Sequence, residues 1–376
     1  MPNLSNLLRT SPGRFAGVTQ FLAHFVDDIS DPTRQDVLQF LKMAEHFCRT
    51  RSQHTALLNI SRLLFGSGPL AFRALHRCTL TYQLARRILD PTKFDQKEFG
   101  LCGPTALAVF LCRDDPVAFA KFAVDLAQNG RGALRAHTIT PAMQVLSFDP
   151  SSTTIAEADF MMLASLLDSQ SALTATTNFA TYDGTGLSWM FDWFVKAGYP
   201  AVLQVMVPPS SGMLLSLAYK FVDTFQRDKY VLRCHPNIPG IFGVSGLNYH
   251  DKKEVLMVAS FLCAAGWKVA ISGGIGIAAS ATIYNSASGL KGSGAPSSMV
   301  SGMEQQAREK LRDDPGKHWV IAESIEISGG RVSFKVLSWT KVHTVDDISL
   351  DDFLYAFDGF VAASPLDIRA HRGAHH

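Results

Sequence analysis

The chain has 376 residues, of which 47% are hydrophobic and 18% are charged. A chain of this length and composition buries a full core and divides into roughly two or three domains, which excludes the disordered and fibrous classes. The formal net charge of +2 lacks the basic excess of nucleic-acid-binding proteins, so we expect no nucleic-acid partner.

The six cysteines show no regular spacing; they are Cys48, Cys78, Cys102, Cys112, Cys234 and Cys263. This scatter indicates neither a disulfide framework nor a zinc site, so we expect reduced thiols and no metal or cofactor. The first residues lack the basic and apolar segments of a Sec signal. The most apolar stretch, 255–283, is interrupted by Lys268 and by glycines, so we expect no membrane span.

Residues 17–90 show helical spacing of apolar side chains throughout. Asp31-Pro32 is typical of a helix start, with aspartate as the cap and proline in the first turn. The segment 49–87 carries many arginines among leucines. A solvated helix face is one explanation of this pattern, and a surface that binds a protein partner is the other.

Beyond residue 90 helices and strands alternate, and the strands dominate towards the end. The periodicity predicts helices at 103–111, 116–128, 158–168, 186–198 and 301–312, and strands at 201–207, 230–232, 267–272, 319–325 and 331–339. The Ser/Gly-rich stretch 286–298 reads as a mobile loop. Helices first and strands later indicate an α+β fold.

Cys102 stands immediately before an apolar helical pattern, in the sequence Leu-Cys-Gly-Pro-Thr. Unpaired N–H groups at a helix start stabilise a thiolate, so this is where a nucleophilic cysteine would be expected. His318 opens a buried strand and is the candidate base, because a cysteine nucleophile needs a nearby imidazole. His343 also lies close to apolar strand residues and is the competing base.

These segments resemble the papain-like cysteine peptidases, in particular the bacterial branch of effector and bacteriocin-processing enzymes. The resemblance covers roughly 94–114 and 314–362: Cys-Gly-Pro-Thr-Ala-Leu at Cys102 is similar to the nucleophile helix, and His318-Trp-Val-Ile to the histidine strand. Gln96 stands six residues before Cys102, at the spacing of that family's oxyanion glutamine. Ser338-Trp339 is similar to the Ser-Trp pair that follows the family's orienting asparagine.

The register of that Ser-Trp pair places Leu337 where the family has its asparagine. Leucine cannot accept a hydrogen bond from imidazole, so two readings stay open. The site is a Cys–His dyad, or its third member comes from Ser338, Thr340, Asp168 or Asp192.

The resemblance implies a two-lobed α+β fold, with a helical lobe facing a twisted antiparallel sheet, and a thiol-dependent hydrolase acting on a protein or peptide. It implies a helical N-terminal region at 1–90, a peptidase domain at 91–365 with an insertion around 200–300, and a disordered tail at 366–376. Enzymes of this kind stay in the cytoplasm or leave through specialised secretion systems that need no Sec signal.

Two other functions are compatible with the sequence. A papain-like frame that lacks the orienting asparagine could serve as a catalytically inactive binding protein. Gly274-Ile-Gly276-Ile-Ala-Ala279 follows a predicted strand and matches part of a dinucleotide-binding fingerprint. That fingerprint also requires a following helix and an acidic residue about twenty positions on, and no Asp or Glu occurs between the loop and Glu304.

Overall fold

The structure is a computed structural model, and the residues it describes fall in several ranges: 32–97, 100–135, 137–169, 187–206, 231–234, 252–273, 283, 286–287, 289–313, 318–338 and 340–366. They form a mixed fold of helices and antiparallel sheets, so the prediction of an α+β fold is confirmed at that level.

Helices dominate the first half of the described chain: α1 (Arg34–Ala44), α2 (Arg51–Phe65), α3 (Arg77–Leu89), α4 (Cys102–Asp114), α5 (Pro116–Asn129), α6 (Met143–Ser147), α7 (Glu157–Asp168) and α8 (Leu187–Lys196). Three more follow: α9 (Lys252–Ala264), α10 (Ser297–Asp313) and α11 (Leu350–Ala356). The strands are β1 (Gly132–Leu134), β2 (His137–Ile139), β3 (Val202–Met206), β4 (Val231–Cys234), β5 (Lys268–Gly273), β6 (His318–Ser328), β7 (Arg331–Ser338), β8 (Lys341–Ser349) and β9 (Phe357–Ala363).

Local sequence signals explain several of the helix boundaries. Thr33 caps α1 in a reciprocal capping box with Asp36, so this helix begins at Arg34 and Thr33 is its cap. The predicted cap, Asp31, lies outside the described residues. Asp115 accepts a hydrogen bond from the Ala118 N–H at the start of α5, and Gly130 ends that helix in the left-handed conformation with φ 65°.

Strands β1 and β2 form a small hairpin, and the other seven form one antiparallel sheet in the order β4-β3-β9-β5-β6-β7-β8. Consecutive strands β6, β7 and β8 are joined by short turns. The strand β9 returns from the end of the chain to lie between β3 and β5. The last strand of the chain therefore joins β3 to β5 in the middle of the sheet.

The sheet separates two apolar cores, because successive residues of a strand point to opposite faces. One face joins the core of the helices α1 to α5, α7 and α8, and its strand residues include Val202, Ala270, Trp319, Ile321, Leu337, Val361 and Ala363. The other face packs against α9 and α11, and its strand residues include Leu203, Val269, Ile271, Val320, Ala322, Val336 and Phe360. The helix α4 contacts β6 on the first of these faces.

Two segments differ from their predicted roles. Within 200–300, predicted as an insertion, the described residues supply β3, β4 and β5, so this part belongs to the main sheet. The stretch 286–298 was expected to be a loop, but residues 286–287 and 289–292 are helical and α10 begins at Ser297. The prediction of a loop was wrong at these residues; a serine-rich segment was read as a breaker although serine also begins helices.

The arginines of 49–87 do not form one solvated face. Arg77 donates hydrogen bonds to the carbonyl groups of Leu63 and Gly68. Arg87 is buried in an ion pair with Asp159. These contacts bind helices and loops to one another, so the arginine content does not by itself indicate a surface for a partner.

In the described part of the chain, no helix combines the length and apolarity that crossing a membrane requires.

Candidate active site

Cys102 is the first residue of α4, and its side chain is buried with 4% exposure. The N-cap residue, Leu101, offers no side-chain hydrogen bond to the first turn, and the first turn holds no acidic residue. The end of the helix therefore keeps its positive partial charge beside the thiol, which favours a thiolate. Thr105 strengthens this turn, since its N–H and its hydroxyl both donate to the Leu101 carbonyl.

His318 is the first residue of β6, and Ser338 is the last residue of β7. The two strands are antiparallel neighbours, so both residues lie at the same end of the sheet. His318 Nε2 and Ser338 Oγ are 2.9 Å apart, and both side chains are buried. A hydroxyl in this position restrains the rotation of the imidazole ring.

A single pocket brings the helix start and the sheet end together. It is lined by Phe94, Gln96, Cys102, Thr105, Ala106, Val109, His318, Trp319, Ile321, Leu337, Ser338 and Thr340. None of these lining residues carries a permanent charge. Within this lining, the dipole of α4 and the His318 ring are the main electrostatic features.

Gln96 enters this pocket from the segment between α3 and α4. It is 6% exposed, and its Oε1 atom has no hydrogen-bond partner within the described part of the chain. A buried amide with spare hydrogen-bonding capacity is costly unless something uses it. Gln96 shares this pocket with Cys102, and the NH₂ of its amide, rather than the unpaired Oε1, is the group that could donate to a developing oxyanion.

Thr340 closes the turn between β7 and β8 and has a positive φ of 63°. A β-branched residue rarely adopts this conformation, and such strain occurs often at functional sites. Thr340 lines the pocket, and Ser338 is hydrogen-bonded to the His318 ring.

The other candidates lie elsewhere. Asp168, at the end of α7, accepts a hydrogen bond from the Ala142 N–H at 2.7 Å and does not line the pocket. Asp192 is on α8 and is also absent from the lining. His343, the competing base, lies on β8, where it pairs with Val336 of β7. It is not among the residues that line the pocket. Burial lowers the pKa of His343.

Several lining residues were not singled out from the sequence. Thr105, Ala106 and Val109 follow Cys102 at three-, four- and seven-residue spacing, so they share its face of α4. That spacing could have identified them. Phe94 could not be identified by spacing, because its position at the pocket depends on the path of the segment before α4.

Three of the other thiols have surroundings that disfavour ionisation. Burial raises the pKa of Cys48, of Cys112 and of Cys263, and in each case it is the largest cause. The five cysteines whose side chains the structure describes are free of disulfides: Cys48, Cys78, Cys102, Cys112 and Cys263. Cys102 is the one among them that begins a helix beside an imidazole-containing pocket.

Among the described residues no group of three or more His, Cys, Asp or Glu side chains could hold a metal ion. The glycine loop 274–279, the candidate dinucleotide site, lies outside the described residues, as does Trp339.

The chain was compared with protein-family models, with curated proteins and with solved structures, and none of the three comparisons found a significant match.

Proposed function

We propose that this protein is a thiol-dependent hydrolase, a cysteine peptidase or amidase, in which Cys102 is the nucleophile and His318 the base. The observation that carries the proposal is the convergence of Cys102, His318, Gln96 and Ser338 on one uncharged pocket. These residues come from positions far apart in the chain. A thiol at a helix start, an imidazole and an amide are the parts that acyl transfer requires.

The papain-like frame belongs to the same proposal. A helix that carries the thiol packs on the face of an antiparallel sheet whose end carries the histidine. In this reading α4 and its neighbouring helices form one lobe, and the sheet with α9 and α11 forms the other. Ser338 takes the orienting position that Leu337 cannot fill.

The chemical steps follow from these assignments. His318 accepts the thiol proton on Nδ1 while Nε2 stays bonded to Ser338, and the Cys102 thiolate adds to the substrate carbonyl carbon. The Cys102 N–H and the Gln96 side-chain amide stabilise the oxyanion. The C–N bond then breaks, the imidazolium protonates the departing amine, and a thioester remains on Cys102. Water, deprotonated by His318, hydrolyses this thioester and regenerates the thiol.

The uncharged lining also bears on the substrate. Apart from the reacting thiol and imidazole, no acidic or basic side chain lines the pocket, so an ionised group of the substrate would lose its hydration there without gaining a dedicated counter-charge. We therefore expect a peptide or amide whose acyl portion is neutral.

The first test is competitive alkylation. The native protein is treated near neutral pH with less than one equivalent of iodoacetamide, and the modified cysteines are identified by mass spectrometry. We expect Cys102 to react first although its side chain is only 4% exposed, because its thiolate is stabilised. The His318→Ala variant should lower the rate at Cys102 about tenfold or more, since a positioned base typically contributes roughly 10²- to 10⁴-fold.

Cys48 and Cys263 are the internal controls, because both are partly exposed and neither lines the pocket that holds His318. Reaction at Cys102 no faster than at these two thiols would argue against the nucleophile. Preferential reaction that is insensitive to His318→Ala would instead favour the inactive binding protein, in which the thiol is reactive but lacks its base.

A further inference from the structure

The segment 90–97, here called the Gln96 strap, links α3 to the chain just before α4 and carries two pocket residues, Phe94 and Gln96. Its first part is a short turn in which the Asp90 carboxylate accepts a hydrogen bond from the Thr92 N–H at 3.1 Å. Phe94 is anchored by an edge contact with Phe119 of α5, with ring centroids 5.7 Å apart. The strap is therefore fixed on the side that precedes Gln96.

A buried ion pair holds the strap next to Gln96. Arg87 Nε donates to Asp159 Oδ1 at 3.0 Å and Arg87 Nη2 to Asp159 Oδ2 at 2.6 Å, with side-chain exposures of 2% and 0%. The same Oδ2 atom accepts a third hydrogen bond, from the Asp95 backbone N–H at 3.1 Å. The carboxylate thus joins α3 and α7 to the residue that directly precedes Gln96.

The residue after Gln96 is also constrained. Lys97 has a positive φ of 52°, which a lysine adopts only when its surroundings impose it. The Asp95 carboxylate accepts hydrogen bonds from the Lys97 N–H at 2.9 Å and pairs with the Lys97 ammonium at 2.8 Å. Gln96 is therefore held between two fixed neighbours, with its buried amide in the pocket.

We propose that the buried Arg87–Asp159 pair is a positioning device that sets Gln96 for oxyanion stabilisation. This inference rests on the proposed function. An oxyanion donor acts only within about 2.7 to 3.1 Å of the charge that develops, so a shift of the strap by 1 Å would remove its effect. Asp159 touches no reacting atom; it acts through the Asp95 N–H and the strap.

Two reactions of Cys102 separate positioning from general stability. Acetylation by p-nitrophenyl acetate passes through a tetrahedral oxyanion: the thiolate adds to the ester carbonyl, p-nitrophenolate leaves and an acetyl thioester forms. Alkylation by iodoacetamide is a direct displacement of iodide, with no oxyanion on a carbonyl carbon. A loosened strap slows the first reaction alone, whereas a damaged fold slows both.

The experiment measures both rates at Cys102 in the full chain for Asp159→Ala, Gln96→Ala and the double variant. Removing an oxyanion donor costs roughly 10²- to 10³-fold, so we expect Gln96→Ala to slow acetylation by about that factor and Asp159→Ala by about tenfold. Alkylation should stay within about twofold of the wild type in both variants, since it uses no such donor. In the double variant, Asp159→Ala should add nothing to the effect of Gln96→Ala.

Glu157→Ala is the matched control. Glu157 lies on α7 two residues before Asp159, and its carboxylate binds the His76 N–H at 2.7 Å and His76 Nδ1 at 2.8 Å, away from the strap. Both rates should be unchanged in this variant. If Asp159→Ala does not fold, Arg87→Met combined with Asp159→Leu removes both charges, fills the space and still lacks the acceptor for Asp95.

In the Asp159→Ala variant, equal slowing of both reactions or an unchanged rate of acetylation would overturn the inference. Additive effects in the double variant would also overturn it. Each of these outcomes leaves the proposed function intact. A wild-type protein whose Cys102 neither acetylates nor alkylates preferentially would overturn the proposed function, and this inference with it.

Discussion

Ser338 meets the His318 ring through a hydroxyl group, where a longer amide side chain would present a fixed carbonyl oxygen. A hydroxyl rotates and can either donate or accept, so it serves either tautomer of the histidine. It restrains the ring less than an amide does. At the scale of single residues, the reactivity of Cys102 should therefore depend measurably, but not absolutely, on Ser338.

Replacing Ser338 with alanine should slow alkylation of Cys102 by about two- to tenfold. One hydrogen bond contributes roughly 0.5 to 1.5 kcal/mol, and this variant removes one from the imidazole. Thr340→Ala is the control, because Thr340 lines the same pocket without a described contact to His318. Equal effects of the two variants, in rates followed by mass spectrometry, would count against an orienting role for Ser338.

The sequence predicted some of these residues better than others. Cys102 could be located because a cysteine before Gly-Pro and an apolar helix is a local pattern. The choice among Ser338, Thr340, Asp168 and Asp192 could not be made, because it depends on strand register. The structure supplies this register: Ile321 pairs with Leu337, so the end of β7 lies beside the start of β6.

At the scale of elements, the small hairpin of β1 and β2 sits tightly against α5. A Cβ atom added at Gly132 would lie 2.6 Å from Phe122 Cδ2 and 2.8 Å from the Phe122 carbonyl oxygen. The backbone oxygen cannot move without disturbing α5. Glycine at this position is therefore required by close packing.

Gly132→Ala should lower the free energy of unfolding by about 1 to 3 kcal/mol, the usual cost of overpacking. Gly302 is the matched control: it lies inside α10, and an added Cβ would meet nothing within 4 Å. Gly302→Ala should raise stability by up to about 1 kcal/mol, because alanine is the better helix former. Urea titrations of both variants test the pair, and effects of the same sign would contradict it.

Most helices and the strands β3, β5, β6 and β7 were predicted within a few residues, because their apolar periodicity is strong. The strands β8 and β9 were not predicted. A register shift in the pairing of β7 with β8 breaks the alternation of that strand, and its Asp347 has a positive φ of 67°. The strand β9 follows α11 directly, so no turn residue separates the two elements and marks where the strand begins.

At the scale of the whole molecule, the helices on either side of residue 90 share one core. Buried residues from Val37 to Leu366 belong to it, and α2 packs directly against α5. The ion pair of Arg87 with Asp159 also joins a residue before position 90 to one after it. Within the described range 32–90, this packing joins the predicted N-terminal region to the helices that follow it.

A fragment of residues 91–376 should therefore fail to fold cooperatively. It would expose the faces of α4 and α5 that α2 and α3 cover, and it would leave Asp159 buried without its partner. Breaking a buried pair costs roughly 3 to 5 kcal/mol, out of a total stability of about 5 to 15 kcal/mol. Near-ultraviolet circular dichroism and urea unfolding would show this, and adding a separate 1–90 fragment should restore the signal. A sharp transition of 91–376 alone would support an independent domain.

The helix α4 is held to the sheet at the end opposite to Cys102. Arg113 pairs with Glu323 of β6 at 2.7 Å, and Asp114 pairs with Lys268 of β5 at 2.9 Å. Arg113 lies eleven residues after Cys102 on the helix, which is a distance of about 16 Å. For a rigid tilt of α4 about this anchor, each degree displaces the sulfur by about 0.3 Å. Because of this length, a small tilt of α4 at the two partly buried ion pairs would become a larger displacement at the thiol.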